Sequence, residues 1–419
     1  MRRLIVGGAG LGALVVAAVV LSGGSGADAR VITPYVVVFD DGVDVDAKVA
    51  ELERSEHFRA DHHYRASLHG FAAKLSGRQR DAIAHDPAVE SIHDDAPVRL
   101  PTARSSRTVP LASGVKRIGG GTKPADGVAV AVLDTGVDLS HPDLNAVAGT
   151  NCVGGANRRA SAVSDGHGHG THVAGTIAGR NGIGVAPGTT VYAVKVLDDG
   201  GRGSTSQLIC GIDWVTANAA KLGIRVANLS LGMPGSPDTS CGRTSKDVLH
   251  KAICAAARAG VVFVVAAGND AADIAGDVPS GYPEVLAVTA VADSDGADGG
   301  RGAATSCGQR ERDDTAASFS NYATSADGDA HLVAAPGVCI RSSWPGGGYR
   351  TISGTSMAAP HVAGTVALCI ASGRCAGTPA AIIQRIRADA DAHGSRFAGD
   401  DHAPHDGRLY GDLVWAGGY

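Results

Sequence analysis

Four polar residues, far apart along the chain, could do chemistry together if the fold brought them into one place. Asp134 and Asn269 each follow a short apolar run, whereas His169 and Ser356 stand where small residues give way to a helical pattern. A serine is a poor nucleophile at neutral pH, so Ser356 would need a base to accept its proton and a carboxylate to orient that base. A neutral amide can stabilise a developing oxyanion. The set is therefore complete for acyl transfer.

Each of these motifs has another explanation when it is taken alone. Asp134-Thr-Gly also occurs in aspartic proteases, but those need two such motifs and no second one follows. The three histidines within 165–172 could bind a metal, although no cysteine or acidic residue is spaced as a fourth ligand. Asn269 could make a turn and Ser356 could be a helix N-cap. An esterase of the α/β-hydrolase class would need Gly-x-Ser-x-Gly and the order Ser, Asp, His, which the chain lacks.

The apolar runs that precede and separate these residues are typical of buried strands. They are short and nearly continuous, and helical patterns lie between several of them, at about 204–220 and 245–259. Strands alternating with helices predict a parallel sheet that is covered on both faces, with functional groups at the carboxyl ends of the strands. The sequence therefore predicts an α/β fold. The predicted strands are Val128–Leu133, Val191–Val196, Val226–Leu231, Val261–Ala266 and Val285–Val291.

Composition excludes several classes of protein. The 419 residues are 44% hydrophobic and 19% charged, which suffices for a core and excludes disorder of the whole chain. The net charge is −5 and no cluster of lysine and arginine occurs, so we expect no nucleic-acid partner. The 59 glycines follow no Gly-X-Y period, which excludes collagen and indicates many tight turns.

The N-terminus has the layout of a secretory signal. Arg2 and Arg3 precede the apolar run Leu4–Leu21, and a stretch of small residues ends in Ala27-Asp28-Ala29. This predicts a signal peptide over residues 1–29. A retained membrane anchor is the alternative, because 18 apolar residues nearly suffice to span a bilayer.

The cysteines also favour export. There are eight, with no CxxC pair, so disulfides fit better than a zinc site. Cys369–Cys375 would close a short loop, and Cys307–Cys339 would bracket one loop region. We expect those two pairs first, then Cys241–Cys254, which leaves Cys152–Cys210.

A smaller unit precedes the predicted sheet. The pattern reads strand 35–39, helix 43–56, strand 66–75, helix 77–85 and strand 88–93, which predicts a small α+β sandwich. The basic stretch Arg99–Arg107 follows it and is typical of an exposed linker.

The four motifs closely resemble those of the subtilisin-like serine peptidases, and they occur in that family's order. Ser230-Leu231-Gly232 and Ala317-Ser-Phe-Ser-Asn-Tyr322 match as well. The resemblance runs from about residue 109 to the helix near 390, and residues 30–100 resemble the family's inhibitory propeptide. The main matching pieces are Asp134-Thr-Gly, His169-Gly-Thr-His-Val-Ala-Gly-Thr, Ala-Ala-Gly-Asn269 and Gly-Thr-Ser356-Met-Ala-Ala-Pro-His-Val-Ala-Gly.

This resemblance implies three parts and an activity. After the signal peptide, residues 30–105 would be an inhibitory propeptide of α+β, ferredoxin-like fold. Residues 106–419 would be the peptidase domain, a subtilisin-like parallel sheet with helices on both faces. The protein would be a secreted, extracellular serine endopeptidase, made as a self-processing precursor. Its partners would be protein or peptide substrates and its own propeptide, with no membrane once the signal is removed. The alternative is a specialised processing protease with few partner substrates.

The resemblance also implies a role for each site residue. Asp134 would orient His169, which would deprotonate Ser356, while Asn269 and the backbone N–H of Ser356 would bind the oxyanion. The segments Ser230-Leu231-Gly232 and Gly201-Arg202-Gly203 would be edge strands that hold an extended peptide through backbone hydrogen bonds.

No cofactor is implied for catalysis. The segment from Ala178 to Pro187 is shorter than in subtilisins that wrap a calcium ion there, so we expect that strong site to be missing. The acidic residues Asp313, Asp314, Asp327 and Asp329 could bind calcium weakly, but acidic loops are more often merely solvated. We therefore predict no metal ligands.

The linker and the propeptide lead to two further expectations. Self-cleavage should fall between Leu100 and Thr108, near Ser105-Ser106, with cleavage at Arg104 or Arg107 by another protease as the alternative. Six histidines lie within residues 30–105, and His69, in an apolar run, is the best candidate for a pH sensor that loosens the propeptide in mild acid. Ordinary surface use of histidine is the competing explanation.

Overall fold

The computed structural model describes residues 31–101, 104–106, 113–155, 162–305, 307, 310–398 and 406–419. The expected signal peptide lies outside these residues. No helix in the described part of the chain is long and apolar enough to cross a membrane.

The N-terminal unit is a four-stranded antiparallel sheet with two helices on one face. Its spatial strand order is β2-β3-β1-β4. The helices begin where the sequence supplies caps: Asp44 accepts a hydrogen bond from the Ala47 amide, and Ser76 with Gln79 forms a capping box. The elements are β1 (Ile32–Phe39), α1 (Val45–Glu56), β2 (Ala60–Tyr64), β3 (Gly70–Ser76), α2 (Gly77–Ala84) and β4 (Val89–Asp94).

Two strand predictions in this unit need correction. The predicted strand 66–75 begins only at Gly70, and β2 was not predicted. The buried residues of β2 are Ala60, His62 and Tyr64, so a histidine takes one of the buried positions and conceals the alternation of apolar residues.

The rest of the chain is built on one large sheet. It has eight strands in the order β16-β15-β13-β11-β7-β9-β8, with β17 also paired to β15. All pairings in this sheet are parallel except that of β15 with β16. The strands of the large sheet are β7 (Ala129–Asp134), β8 (Asn145–Asn151), β9 (Thr190–Lys195), β11 (Ile224–Leu229), β13 (Val262–Ala266), β15 (Leu286–Ala292), β16 (Thr315–Ala316) and β17 (Leu332–Pro336). The strands of smaller sheets are β5 (Pro97–Arg99), β6 (Arg104–Ser106), β10 (Arg202–Ser204), β12 (Met233–Pro234), β14 (Asp277–Val278), β18 (Ile340–Trp344) and β19 (Gly348–Ser353). The helices are α3 (Ser113–Arg117), α4 (His169–Ala178), α5 (Thr205–Leu222), α6 (Val248–Arg258), α7 (Ala326–Asp329), α8 (Thr355–Ala371) and α9 (Pro379–His393).

Helices cover both faces of this sheet, as the runs of apolar residues predict. Along β7, Val130 and Val132 belong to a core shared with α4, α8 and α9. Ala131 and Leu133 point to the opposite face and belong to a core shared with α5 and α6. The strands are apolar throughout because each face is buried against helices.

The N-terminal sheet packs on the α5–α6 face. One side of it faces its own helices, and its other side, including Val36, Val38 and Tyr64, joins the core of α5 and α6. Asp95 caps the start of α5, accepting hydrogen bonds from the amide and the hydroxyl of Ser206, each 2.7 Å long. Both sides of the small sheet are therefore buried.

Four disulfides brace the large domain, and the described residues contain no free cysteine. All four predicted pairings are confirmed. They are Cys152–Cys210, Cys241–Cys254, Cys307–Cys339 and Cys369–Cys375.

Candidate active site

Asp134 and His169 meet at the carboxyl end of the sheet. Asp134 ends β7 and His169 begins α4, and both side chains are buried. Nδ1 of His169 lies 2.9 Å from each carboxylate oxygen of Asp134. Nε2 of His169 is also buried, and it has no hydrogen-bond partner among the described residues. The imidazole is thus oriented by a carboxylate on one side and can accept a proton on the other.

A second carboxylate, that of Asp165, fixes the start of α4. It accepts hydrogen bonds from the amides of His167, Gly168 and Thr171, at 3.1, 2.7 and 2.8 Å. It also accepts the hydroxyls of Thr135 and Thr171. This role of Asp165 was not predicted, although an acidic residue just before a helix is the signal for it in the sequence.

Ser356 occupies the first turn of α8, where backbone N–H groups favour negative charge. Its side chain is fully buried. Its hydroxyl donates to the backbone carbonyl of Ser230 at 3.2 Å, and the Ser230 hydroxyl donates to the backbone carbonyl of Ser356 at 2.9 Å. The Ser356 hydroxyl is thus hydrogen-bonded to Ser230, so it must turn away from that carbonyl to reach His169.

The amide of Asn269 is oriented by the residues that precede Ser356. Its Oδ1 accepts the backbone amide and the hydroxyl of Thr355, each at 2.9 Å. Its Nδ2 therefore lies beside Gly354, where an added Cβ would come within 3.1 Å of it. The amide donor therefore faces the start of α8.

The three histidines of the 165–172 segment do not converge. His172 is buried, its Nε2 lies 3.0 Å from the carbonyl of Ile340, and burial lowers its pKa to about 3. His167 is exposed, with its ring centroid 6.3 Å from that of His169. This geometry does not match a shared metal site.

Two of the four acidic residues considered for calcium are engaged by backbone amides. Asp313 accepts the amides of Ser294 and Gly302, and Asp314 accepts those of Gly299 and Gly300. Asp329 forms an ion pair with Arg387 at 3.0 Å. Calcium binding by these residues is untested.

The two predicted edge segments hold a piece of the chain itself. Strand β5 pairs antiparallel with β10, and the amide of Leu100 donates to the carbonyl of Gly201 at 3.1 Å. Arg99 exchanges two backbone hydrogen bonds with Gly232, of 3.4 and 3.3 Å. Residues 97–100 thus form an added strand between the two segments. Leu231 is fully buried in the core instead.

The described part of the linker resumes at Arg104, beside the strand that leads to Ser356. Strand β6 pairs antiparallel with β19, so that Arg104 lies opposite Ser353 and Ser106 lies opposite Thr351. Ser353 stands three residues before Ser356. The chain is therefore fixed by backbone pairing on both sides of the segment that contains residues 101–103.

Comparison with protein families gives two matches that divide the chain in the same way. Residues 34–101 match the family described as peptidase inhibitor I9, and residues 125–405 match the subtilase family.

Individual relatives agree with this assignment. The alkaline protease of Alkalihalobacillus alcalophilus is 36% identical over 343 residues, which cover 79% of this chain and 77% of the relative. Subtilisin-like serine protease Pen ch 13 of Penicillium rubens is 33% identical, covering 82% and 83%. The crystal structure of a cold adapted subtilisin-like serine proteinase superposes with a TM-score of 0.57 at 32% identity, covering 74% of this chain and 99% of that one. The chain belongs to the subtilase family: it is a subtilisin-like serine endopeptidase preceded by an I9 propeptide domain.

Proposed function

We propose that Asp134, His169 and Ser356 form the catalytic triad of this endopeptidase. The observation that carries the proposal is the buried contact of His169 Nδ1 with both oxygens of Asp134, which leaves Nε2 to act as the base. Nε2 of His169 takes the hydroxyl proton of Ser356 while Oγ of Ser356 attacks the carbonyl carbon of the substrate. The amide of Asn269 and the backbone N–H of Ser356 hold the oxyanion. His169 then protonates the leaving amine, and water hydrolyses the acyl-enzyme by the same steps in reverse.

We propose further that the protein is a self-processing precursor with its own propeptide as intramolecular inhibitor. The support is the strand formed by residues 97–100 between Gly201 and Gly232, since a peptide substrate would bind there by the same backbone pairing. The proposed parts are a signal peptide over 1–29, a propeptide over 30–105 and a peptidase over 106–419. Self-cleavage between Leu100 and Thr108 stays a prediction.

Secretion is proposed from the cysteines. All eight pair in disulfides, which persist in oxidising compartments outside the cytosol. Detection of the mature protein in the culture medium of an expressing strain, with its thiols oxidised, is the corresponding test.

The decisive experiment is covalent labelling of the nucleophile. A fluorophosphonate added to the mature protein should modify Ser356, as located by mass spectrometry, and Ser356→Ala should abolish labelling. In cells, Ser356→Ala should also accumulate as an unprocessed precursor. Absence of labelling at Ser356 in the processed protein contradicts the triad, and normal maturation of Ser356→Ala without any added protease contradicts self-processing.

A further inference from the structure

A buried lysine stands beside the carboxylate of the proposed triad. Lys195 ends β9 and is paired directly with Asp134 in the parallel register of β9 and β7, so their backbones lie about 4.8 Å apart. The preceding residues, Val194 and Leu133, both belong to the α5–α6 core. Because successive side chains of a strand alternate between its faces, Lys195 and Asp134 both project to the opposite face, where α4 lies. Lys195 is only 7% exposed there.

The ammonium group of Lys195 makes two contacts. It donates to the backbone carbonyl of Thr135, and it lies 2.8 Å from Oδ1 of Asp199. Asp199 is largely exposed, and its carboxylate lies over the backbone of Gly166, where an added Cβ would come within 2.4 Å of the Asp199 Cγ. Lys195 thus ties the turn after β7 to the segment that leads into α4.

Thr135 connects this lysine to the proposed triad. The Thr135 amide donates to Oδ1 of Asp134 at 2.7 Å, and the Thr135 hydroxyl donates to Asp165 at 2.8 Å. The same hydroxyl accepts the amide of Gly170, the residue after His169, at 3.0 Å. A shift of the Thr135 backbone would therefore move both the carboxylate and the start of the helix that carries the imidazole.

The charge of Lys195 acts on the same pair. A cation beside Asp134 and His169 disfavours the positively charged imidazolium, whereas the anion of Asp199 favours it, more weakly because Asp199 is exposed to solvent. The two members of the ion pair should therefore shift the titration of His169 in opposite directions. The other charged and titratable groups that face Lys195 and His169 are Asp134 from β7, Asp165 and His167 before α4, His172 from α4 and Asp198 after β9.

We propose that Lys195 is a positioning residue of the triad. Its hydrogen bond to Thr135 holds Asp134 and the start of α4 in register, and its charge keeps His169 unprotonated and able to act as the base. The inference rests on the proposed function of Asp134, His169 and Ser356, since Lys195 acts through Thr135 on the residues that perform the reaction.

The experiment measures kcat and kcat/KM of the mature enzyme from about pH 5 to about pH 9, with an uncharged peptide substrate at low ionic strength. The variants are Lys195→Met, Lys195→Arg, Asp199→Asn and the double variant Lys195→Met with Asp199→Asn. The control is Lys221→Met, because Lys221 is exposed in the last turn of α5, next to the start of β11, and its loss changes the net charge equally. Rates are expressed per Ser356 labelled by an uncharged fluorophosphonate, which counts folded enzyme.

Lys195→Met should lower kcat about tenfold and leave KM nearly unchanged, because the orientation of the base matters in the chemical step. It should also move the midpoint of the acid limb of kcat/KM up by about half a pH unit. Asp199→Asn should move this midpoint down by a smaller amount, and the double variant should return towards the wild-type midpoint but keep the low kcat. Lys195→Arg, which retains a charged donor, should restore the midpoint, and Lys221→Met should change neither quantity.

An unchanged kcat and midpoint in Lys195→Met would overturn the inference. A lower kcat without any shift of the midpoint would overturn it too, because a lysine that only supports the fold would give that result. If Lys195→Met does not fold, the exposed Asp199→Asn decides, and a midpoint that is unchanged or raised contradicts the proposal. If the wild type cleaves no peptide and Ser356 is not labelled, the proposed function itself fails.

Discussion

The side chain of His169 receives its orienting carboxylate from a segment that is distant in the sequence. Asp134, which is 35 residues away, comes from the end of β7, while Asp165 holds the turn from which the histidine projects. The local motifs predict the residue types of the site. Four of the five hydrogen bonds of Asp165 come from residues 167–171, and only the fifth, from the Thr135 hydroxyl, depends on tertiary structure. The roles of the triad residues and Asn269 stay predictions until they are tested.

Asn269→Ala should lower kcat and leave KM nearly unchanged, because the amide would act only on the charge of the transition state. Loss of one oxyanion donor lowers kcat by about 10²- to 10³-fold, a magnitude established for subtilisin itself. Steady-state kinetics on a peptide substrate measures it. The control is Asn145→Ala, an exposed asparagine that begins β8 at the other end of the sheet. A full kcat in Asn269→Ala would exclude the oxyanion role.

Asp165→Asn should reduce both stability and kcat. The amide of asparagine offers one acceptor oxygen in place of two, so its NH₂ would face donors that Asp165 now satisfies. We expect a loss of about 1.5–3 kcal/mol in the free energy of unfolding, as for hydrogen bonds to a charged group. Urea unfolding and kcat are measured together, with Asp126→Asn, at an exposed position before β7, as the control for charge. An unchanged midpoint and kcat would show that the α4 turn does not need this carboxylate.

At the scale of elements, the sequence predicts five of the strands that are buried on both faces, and it misses the buried β17 and the edge strand β8. The five predicted strands correspond to β7, β9, β11, β13 and β15, within about two residues at each end. Strand β8 at the edge was missed, because Asn145 is exposed and several of its other residues are only half-buried. The contact of Lys195 with Thr135 was beyond sequence reasoning as well, since it depends on the pairing of β7 with β9.

The disulfides should differ in their contribution to stability. Cys152–Cys210 closes a loop of 58 residues between the end of β8 and α5, whereas Cys369–Cys375 closes a loop of 6 at the end of α8. Because the longer loop restricts the unfolded chain more, removing Cys152–Cys210 should lower the free energy of unfolding by about 2 kcal/mol more than removing Cys369–Cys375. Unfolding of the two Cys→Ala double variants in urea measures this difference. Equal losses would mean that native-state contacts outweigh the chain entropy.

At the scale of the whole molecule, the contact between propeptide and peptidase should weaken in mild acid. His93 is half-buried where β4 meets α6, and burial lowers its pKa, while Asp247 and Glu90 raise it and Lys246 and Lys251 lower it. A free propeptide would bind a proton at its ordinary pKa of about 6.5, whereas the complex resists protonation. The contribution of neutral His93 to the stability of the complex is thus fully present above about pH 6.5 and is lost as the pH falls below that value.

This contact makes His93 a second candidate for the pH sensor, beside His69. His69 is half-buried beside a cavity that Leu68 and Cys241 also line, and its role stays a hypothesis. We expect propeptide release from the cleaved complex to be faster at about pH 5.5 than at about pH 7.5, with a smaller difference in His93→Gln. Burial raises the pKa of Asp277 to about 7, but Asp277 is present in both the wild type and His93→Gln, so its titration affects the two release rates alike. An unchanged difference in His93→Gln would remove His93 as the sensor, and His69→Leu tests the other residue in the same way.

The strands β5 and β6, which pair with the peptidase on either side of residues 101–103, also predict the kinetic order of the proposed self-cleavage. A chain held in this way meets Ser356 of its own molecule at an effective concentration of about millimolar, far above the concentration of purified precursor in dilute solution. The first cut should therefore be unimolecular. Its half-time should stay constant when purified precursor is diluted about a hundredfold, whereas cutting between molecules would slow in proportion to the dilution.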